Sequence, residues 1–221
     1  MGEAELSATR GLLIIHSHII TYGNAADIMV TENIRDEIET MWNEPKGVSV
    51  IKGIEFSVLF KITASFEPAI LPEEIYGNID PRNNYFRIEE FAHGNISFVD
   101  GLGSNTGYFK LENLYKGSTT AAHEYGHTLG LGHPADLDFR GKGVPGIMYP
   151  RGTLVDAQYQ YNPGGRAGDS SNGGTMHPKN RRVLKSDIEL LKLHKLYFEN
   201  NKAIVGEFSS IWHPNHSDIT L

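Results

Sequence analysis

Apolar and polar positions change rhythm several times along this chain, and each rhythm predicts an element. Gly11 to Ile20 is a nearly continuous apolar run, interrupted by His16, Ser17 and His18, and reads as a buried strand. From Ala25 to Trp42 the period becomes helical, with Ile34, Ile38, Met41 and Trp42 on one face. Val48 to Ile51, a turn at Lys52-Gly53, and Ile54 to Ile62 predict a hairpin. In its second arm Ile54, Phe56, Val58, Phe60 and Ile62 alternate with Glu55, Ser57, Leu59 and Lys61. Pro68 to Asn84 is turn-rich, Asn95 to Asp100 predicts a short strand, and Gly101 to Gly107 a glycine-rich turn. Ser118 to Leu129 predicts a helix with Ser118 or Thr119 as its N-cap. Residues 132–182 are rich in Gly, Pro, Asn and Asp and carry little periodicity; so long a loop inside a compact domain is usually functional or mobile. Order returns at Ser186-Asp187-Ile188-Glu189, a capping box expected to open a closing helix to about Glu199. The expected architecture is α+β in one domain over 1–221. Its N-terminal subdomain would span about 11–131 and its C-terminal subdomain about 132–205, with a cleft where the irregular part meets the sheet.

Composition narrows the chemistry. The formal net charge is −7, which argues against nucleic acid, since a phosphate-binding surface needs a basic stripe. The cluster from Lys179 to Lys185 reads as a solvated face. No apolar run is long enough for a membrane span, and the start of the chain lacks the features of a signal peptide. Three expectations stay open: the protein is cytosolic, it leaves by another route, whether secreted or delivered as part of a larger protein, or a leading segment has been removed. The chain has no cysteine, so any zinc site must be built from His and carboxylates.

Three of the ten histidines crowd into the run Ala121-Ala122-His123-Glu124-Tyr125-Gly126-His127-Thr128-Leu129-Gly130-Leu131-Gly132-His133-Pro134. On a helix, His123 and His127 lie about 40° apart and one turn along, so both can bind one metal ion. Glu124 stands beside the first of them, where its carboxylate can act as general base to a water without ligating the ion. A continuing helix would carry His133 about 15 Å past His123. The chain must break and turn back, and Gly130 suits that break because glycine readily adopts the left-handed conformation that ends helices. His-Glu-x-x-His alone arises by chance in on the order of a few per cent of such chains; with Gly130 and His133 the figure falls to on the order of one in ten thousand.

The run matches the metzincin signature His-Glu-x-x-His-x-x-Gly-x-x-His at every fixed position. Gly146-Ile147-Met148-Tyr149-Pro150 resembles the Met-turn of that clan. Its Met-Tyr-Pro is similar to the matrixin form, whereas Pro134 after the third histidine is similar to serralysins. The resemblance implies a zincin domain: a twisted, mostly parallel sheet with an antiparallel edge strand, an active-site helix, an irregular C-terminal part and a closing helix. It implies a zinc endopeptidase with ligands His123, His127 and His133, base Glu124, a hydrophobic floor at Met148, and a protein or peptide substrate added as a strand near Asn95 to Phe109. In some metzincins a tyrosine two places after the methionine reaches the zinc. Here that place is Pro150, so Tyr149 is assigned to packing. Ile19 to Asp27, Glu37 to Glu44, Asn95 to Gly107 and Met148 to Gly152 also resemble the zincin tips of Rhs-type polymorphic toxins of bacteria. That resemblance implies a delivered antibacterial toxin and an inhibitory immunity protein as partner. A reading of another class is a binding module that retains zinc without turnover, which the intact Glu124 argues against.

The remaining candidates have plainer explanations. His16 and His18 share one face of a strand but lack a third ligand nearby. His177 reads as a loop histidine that can approach the cleft, and His213 and His216 as solvated tail residues. Asp100, Asn105 and the glycines between them offer oxygens to a calcium ion, and a hairpin turn explains them as well. Asp136 and Asp138 read either as acceptors for a ligand imidazole or as surface carboxylates.

Overall fold

Strand β2 (Leu12–Tyr22) is the spine of the molecule. Its side chains Leu13, Ile15, Ser17, Ile19 and Thr21 are sealed on the inner face of the sheet, and His16 and His18 point to the outer face. The computed structural model describes residues 1–218. Strand β4 (Ile54–Phe66) runs parallel to β2 along one edge, from Leu12↔Ser57 to Thr21↔Phe66. The other edge is divided end to end. Strand β1 (Gly2–Ser7) lies antiparallel along Leu12–His16, and β5 (Asn83–Glu89) lies parallel along His18–Tyr22. Beyond β5 come β7 (Thr106–Lys110), parallel, and β6 (Phe98–Val99), an antiparallel edge. Strand β3 (Val48–Ile51) borders β4, and β8 (Lys202–Val205) pairs antiparallel with β1. The result is an eight-stranded mixed sheet whose central strands β4, β2, β5 and β7 are parallel and whose borders are antiparallel. The fold is α+β, as the sequence predicts.

Helices α1 (Ile28–Asn43) and α3 (Thr120–Thr128) pack on the inner face, and the short α2 (Pro72–Tyr76) places Ile75 in a cluster on the outer one. Helix α1 starts three residues later than its apolar pattern suggests, because the Asp27 carboxylate accepts from the Val30 N–H at 2.7 Å and caps it there. Ile34, Ile38 and Trp42 are its buried stripe. The Trp42 ring packs on Phe60 and Tyr125, with centroids 5.2 and 5.8 Å away, and its Nε1 donates to the Ala122 carbonyl at 3.0 Å. That contact joins α1 to α3 (Thr120–Thr128), the helix bearing His123 and His127. No helix among the described residues is long and apolar enough to cross a membrane.

Several elements differ from expectation. Pro68 to Asn84 contains a short helix, α2 (Pro72–Tyr76), and ends by entering β5. Strand β5 hides from periodicity because Asn84 to Glu89 are buried on both faces. The strand expected over Asn95 to Asp100 is only the two residues of β6, and Thr106 and Gly107, expected in a turn, begin β7. The closing helix α4 (Lys185–Leu190) stops well before Glu199. Its N-cap is Leu184, whose N–H donates to the Asp187 carboxylate at 2.7 Å, so Ser186 lies inside the helix. The irregular run from 132 to 182 is irregular in the structure too, apart from two single 3-10 turns.

The last described segment overturns the reading of His213 and His216 as solvated. After β8 the chain passes Gly206, at φ +91°, so close to the Thr128 and Gly103 carbonyls that a side chain would collide with both. Residues 207–218 then cover the outer face of the sheet. Trp212 stacks on Tyr22 at 4.9 Å and closes a second apolar cluster with Ile20, Ile75 and Tyr85. His216 stacks on Tyr108 at 3.7 Å, and its Nδ1 accepts from the His93 N–H at 3.1 Å. His213 pairs with Asp100 at 2.9 Å. Asn105 Oδ1 accepts from the Ser209 and Ser210 N–H groups, each at 2.9 Å. The oxygens of Asp100 and Asn105 considered for calcium are therefore engaged in holding this segment down.

Candidate metal centre

At the start of helix α3 Ser118 Oγ accepts from the Thr120 N–H at 3.2 Å. Thr119 occupies the N-cap at φ +62° and makes no capping bond. Its hydroxyl instead donates to the Pro178 carbonyl at 2.8 Å and accepts from Arg181 Nε at 3.0 Å. Further capping comes from α1: the Glu37 carboxylate accepts from the Ala122 N–H at 3.1 Å. Burial pushes the Glu37 carboxyl above its usual range, opposed by the helix N–H groups it faces.

At the other end Gly130 turns the chain, at φ +94°, and the Leu131 N–H donates back to the Gly126 carbonyl at 3.0 Å. That turn is what brings His133 round. Its Nε2 lies 3.1 Å from His123 Nε2 and 3.2 Å from His127 Nε2. His123, His127 and His133 are the one group of three such side chains among the described residues with donor atoms all within 4.8 Å.

The hydrogen positions follow from the neighbours. His123 Nδ1 lies 2.7 Å from the Ile147 carbonyl and His127 Nδ1 lies 2.7 Å from the Leu131 carbonyl. Each Nδ1 must therefore carry the proton, and each Nε2 is left with a lone pair. Burial first, then the Arg181 charge, holds His123 well below the usual imidazole range. Burial likewise lowers His127 and His133. Two Nε2 lone pairs thus point to one centre, with His133 Nε2 beside both, an arrangement that suits a shared cation. Zinc bound to imidazoles at 2.0–2.1 Å in tetrahedral geometry needs N···N separations of about 3.3 Å. The residues present fit that ion.

Glu124 is buried beside His123, and loss of solvent pushes its carboxyl up to about 8, against the pull of Arg181. Met148 is buried beneath α3, and a methyl group on Gly126 would overlap its sulfur. Tyr149 packs on Phe139 at 4.7 Å, in keeping with its assignment to packing.

Arg181 is the residue that sequence reasoning missed. The Lys179–Lys185 cluster reads as solvated, yet Arg181 is only 4 % exposed. Its Nε donates to Thr119, and its Nη1 donates to the Tyr149 carbonyl at 3.1 Å, so it ties the Met148 segment to the start of α3. Nη1 also lies 2.9 Å from His123 Nδ1; both carry hydrogen, so that approach is a contact and not a bond. Burial lowers the guanidinium to about 10. The signal that was available is alternation: Val183 is buried, so Arg181, two places before it, shares its face.

Other candidates lie elsewhere. His16 and His18 line a cavity of about 320 Å³ on the outer face with Lys61, Thr63 and Arg82. His16 is paired with Glu5 at 3.0 Å, and His18 is hydrogen-bonded to Thr63 and Ser65. Asp136 and Asp138 pair with Lys142 and Arg140 at 2.7 and 2.6 Å, which makes them surface carboxylates. His177 is half-buried against Tyr161, with ring centroids 4.5 Å apart.

No family model matches the chain, and no curated protein does. Among solved structures it is similar to archaemetzincin from Methanopyrus kandleri, at 14 % identity and a TM-score of 0.42, over 81 % of this chain and 95 % of that one. The reading that follows rests on the geometry above and not on this likeness.

Proposed function

We propose that the chain is a zinc metalloendopeptidase of metzincin type, with His123, His127 and His133 as ligands, Glu124 as general base and Met148 as the floor of the site. The observation that carries this reading is the convergence of three imidazole Nε2 atoms, two of them left with a lone pair because backbone carbonyls hold the Nδ1 hydrogens. Bound there, zinc supplies Lewis-acid polarisation of the substrate carbonyl and lowers the pKa of water. Glu124 takes a proton from the attacking water on its carboxylate and passes it to the departing amine nitrogen. The edge of β6 offers backbone groups to an extended peptide, which would join the sheet as a further strand. A zinc-retaining binding module has no use for a carboxyl base beside its first ligand, so turnover is the better reading. The resemblance to Rhs-type toxins adds a delivered role and an immunity partner to the same chemistry.

The test uses purified protein and a random peptide mixture, with and without a zinc chelator. Cleavage should need the metal. Glu124→Gln should keep one zinc per chain and lose orders of magnitude in rate, because the amide cannot take the proton. His127→Ala should lose most of the zinc. Near-normal turnover by Glu124→Gln would overturn the mechanism, and full zinc in His127→Ala would overturn the ligand set. Growth arrest in bacteria expressing the native chain but not Glu124→Gln would support the delivered role; equal, normal growth would remove it.

A further inference from the structure

The segment that carries Met148 runs on to Arg151, a half-buried residue that makes no ion pair among the described residues. A partly desolvated, unpaired cation is unusual in a chain with a net charge of −7. The position of Arg151 gives it a use. Its Nη2 donates to Asn113 Oδ1 at 3.2 Å, and Asn113 Nδ2 donates to Ser97 Oγ at 3.2 Å. Ser97 immediately precedes β6, the edge strand. A hydrogen-bonded chain thus runs from the Met148 segment to the sheet edge, with Asn113 the link between the guanidinium and the residue before β6.

The surroundings are cationic and aromatic. The charge of Arg151 reaches Tyr115, His177 and the buried Arg181. His177 stands between Tyr115 and Tyr161, with ring centroids at 6.4 and 4.5 Å. The carboxylate that also feels Arg151, Glu112, is exposed and already paired with Lys110.

We infer that Arg151 is a specificity residue that receives a carboxylate of a peptide lying along β6. The carboxylate is either an Asp or Glu side chain or the peptide's free C-terminus. Arginine suits the task because its planar fork can bind both oxygens at once, and a half-buried site keeps that contact from being screened by salt. The inference deepens the peptidase reading and rests on it for the path of the peptide. Its test does not depend on turnover.

Binding is measured on zinc-loaded Glu124→Gln protein with fluorescent peptides in three arms. One arm has an internal Asp or Glu and an amidated end, one has a free C-terminus and no acidic side chain, and one replaces both groups by amides. One acidic arm should bind at least about tenfold more tightly than the amide arm. Arg151→Met should erase the difference, Arg151→Lys should keep part of it, and Arg151→Glu should favour lysine-containing peptides. The acidic arm that gains affinity identifies which carboxylate is read. Equal affinity in all arms, a preference that survives Arg151→Met, or no binding at millimolar peptide would overturn the inference. Metal-dependent cleavage without acidic preference would leave the peptidase reading standing and remove this one. Acidic binding without cleavage by the native protein would do the reverse.

Discussion

Gly126 shows how much a single missing side chain can carry. In the signature it is only a spacer between Glu124 and His127, yet it lies where the Met148 sulfur packs against the helix backbone, with Trp42 also close by. Gly126→Ala gains up to about 1 kcal/mol of helix propensity. It also forces a methyl group into a filled space, which typically costs about 1–3 kcal/mol. A net loss of stability is expected in urea unfolding. Adding Met148→Ala to Gly126→Ala should cost less than Met148→Ala costs the glycine protein, because the two changes share one space. Additive effects would mean that the two residues do not meet. The three histidines and Glu124 were legible because their spacing is fixed by helix geometry and by one glycine turn. Arg181 and Glu37 were not. Each reaches the site from a distant stretch of chain; alternation with Val183 hints that Arg181 turns inward, but no local spacing says that either side chain meets α3.

At the scale of elements, α3 borrows part of its capping from α1. Removing that carboxylate in Glu37→Ala leaves the Ala122 N–H without its partner, at a cost of about 0.5–2 kcal/mol by analogy with ordinary caps. Glu37→Gln retains an acceptor oxygen and removes a charge that burial disfavours, so its loss should be smaller. Chemical denaturation of both variants measures the difference, and an equal loss would show that charge rather than the hydrogen bond holds the helix end. The same scale explains which elements were legible. Helix α1 and the β3–β4 hairpin expose one side and bury the other, so their periods can be read. Strand β5 is buried on both faces, and β1 alternates small and acidic residues, Gly2-Glu3-Ala4-Glu5, with too little apolar contrast to mark a strand.

At the scale of the whole molecule, the segment 207–218 is held down through a contact that depends on pH. His216 is held below the usual imidazole range, first by burial and then by His93, His213 and Arg87, with Glu89 acting in the opposite sense. A histidine whose folded pKa is lowered binds its proton more tightly when released. Its contribution is therefore complete above about pH 6.5 and is lost as pH falls below that value. Protonation of Nδ1 also removes the acceptor of the His93 N–H. Intrinsic-rate-corrected hydrogen exchange in 207–218 should speed up between pH 7 and 5.5, and His216→Phe should respond less to that change. Equal pH responses would locate the sensitivity elsewhere. This lid over the outer face was not legible, because its histidines and serines read as polar until Tyr108, Asp100 and Asn105 are brought beside them.

The pairing of β8 with β1 sets the order in which the molecule can be assembled. Gly2 is matched with Val205 and Glu5 with Lys202, so two strands from opposite ends of the sequence must find each other before either is complete. Contacts of such separation form late, because a very long loop must close before they contribute. The chain leaving β8 is also what packs Gly206 against the end of α3, next to the bend that swings His133 into place. A nascent chain on the ribosome would therefore hold all three histidines well before it could hold them in one geometry. In pulsed-labelling refolding, protection of β1 and β8 should coincide with the appearance of tight zinc binding. Zinc binding that clearly precedes that protection would show that the site forms on its own. If the two coincide, the chain gains its ion only after Lys202–Val205 has been made, a delay written into strand order alone.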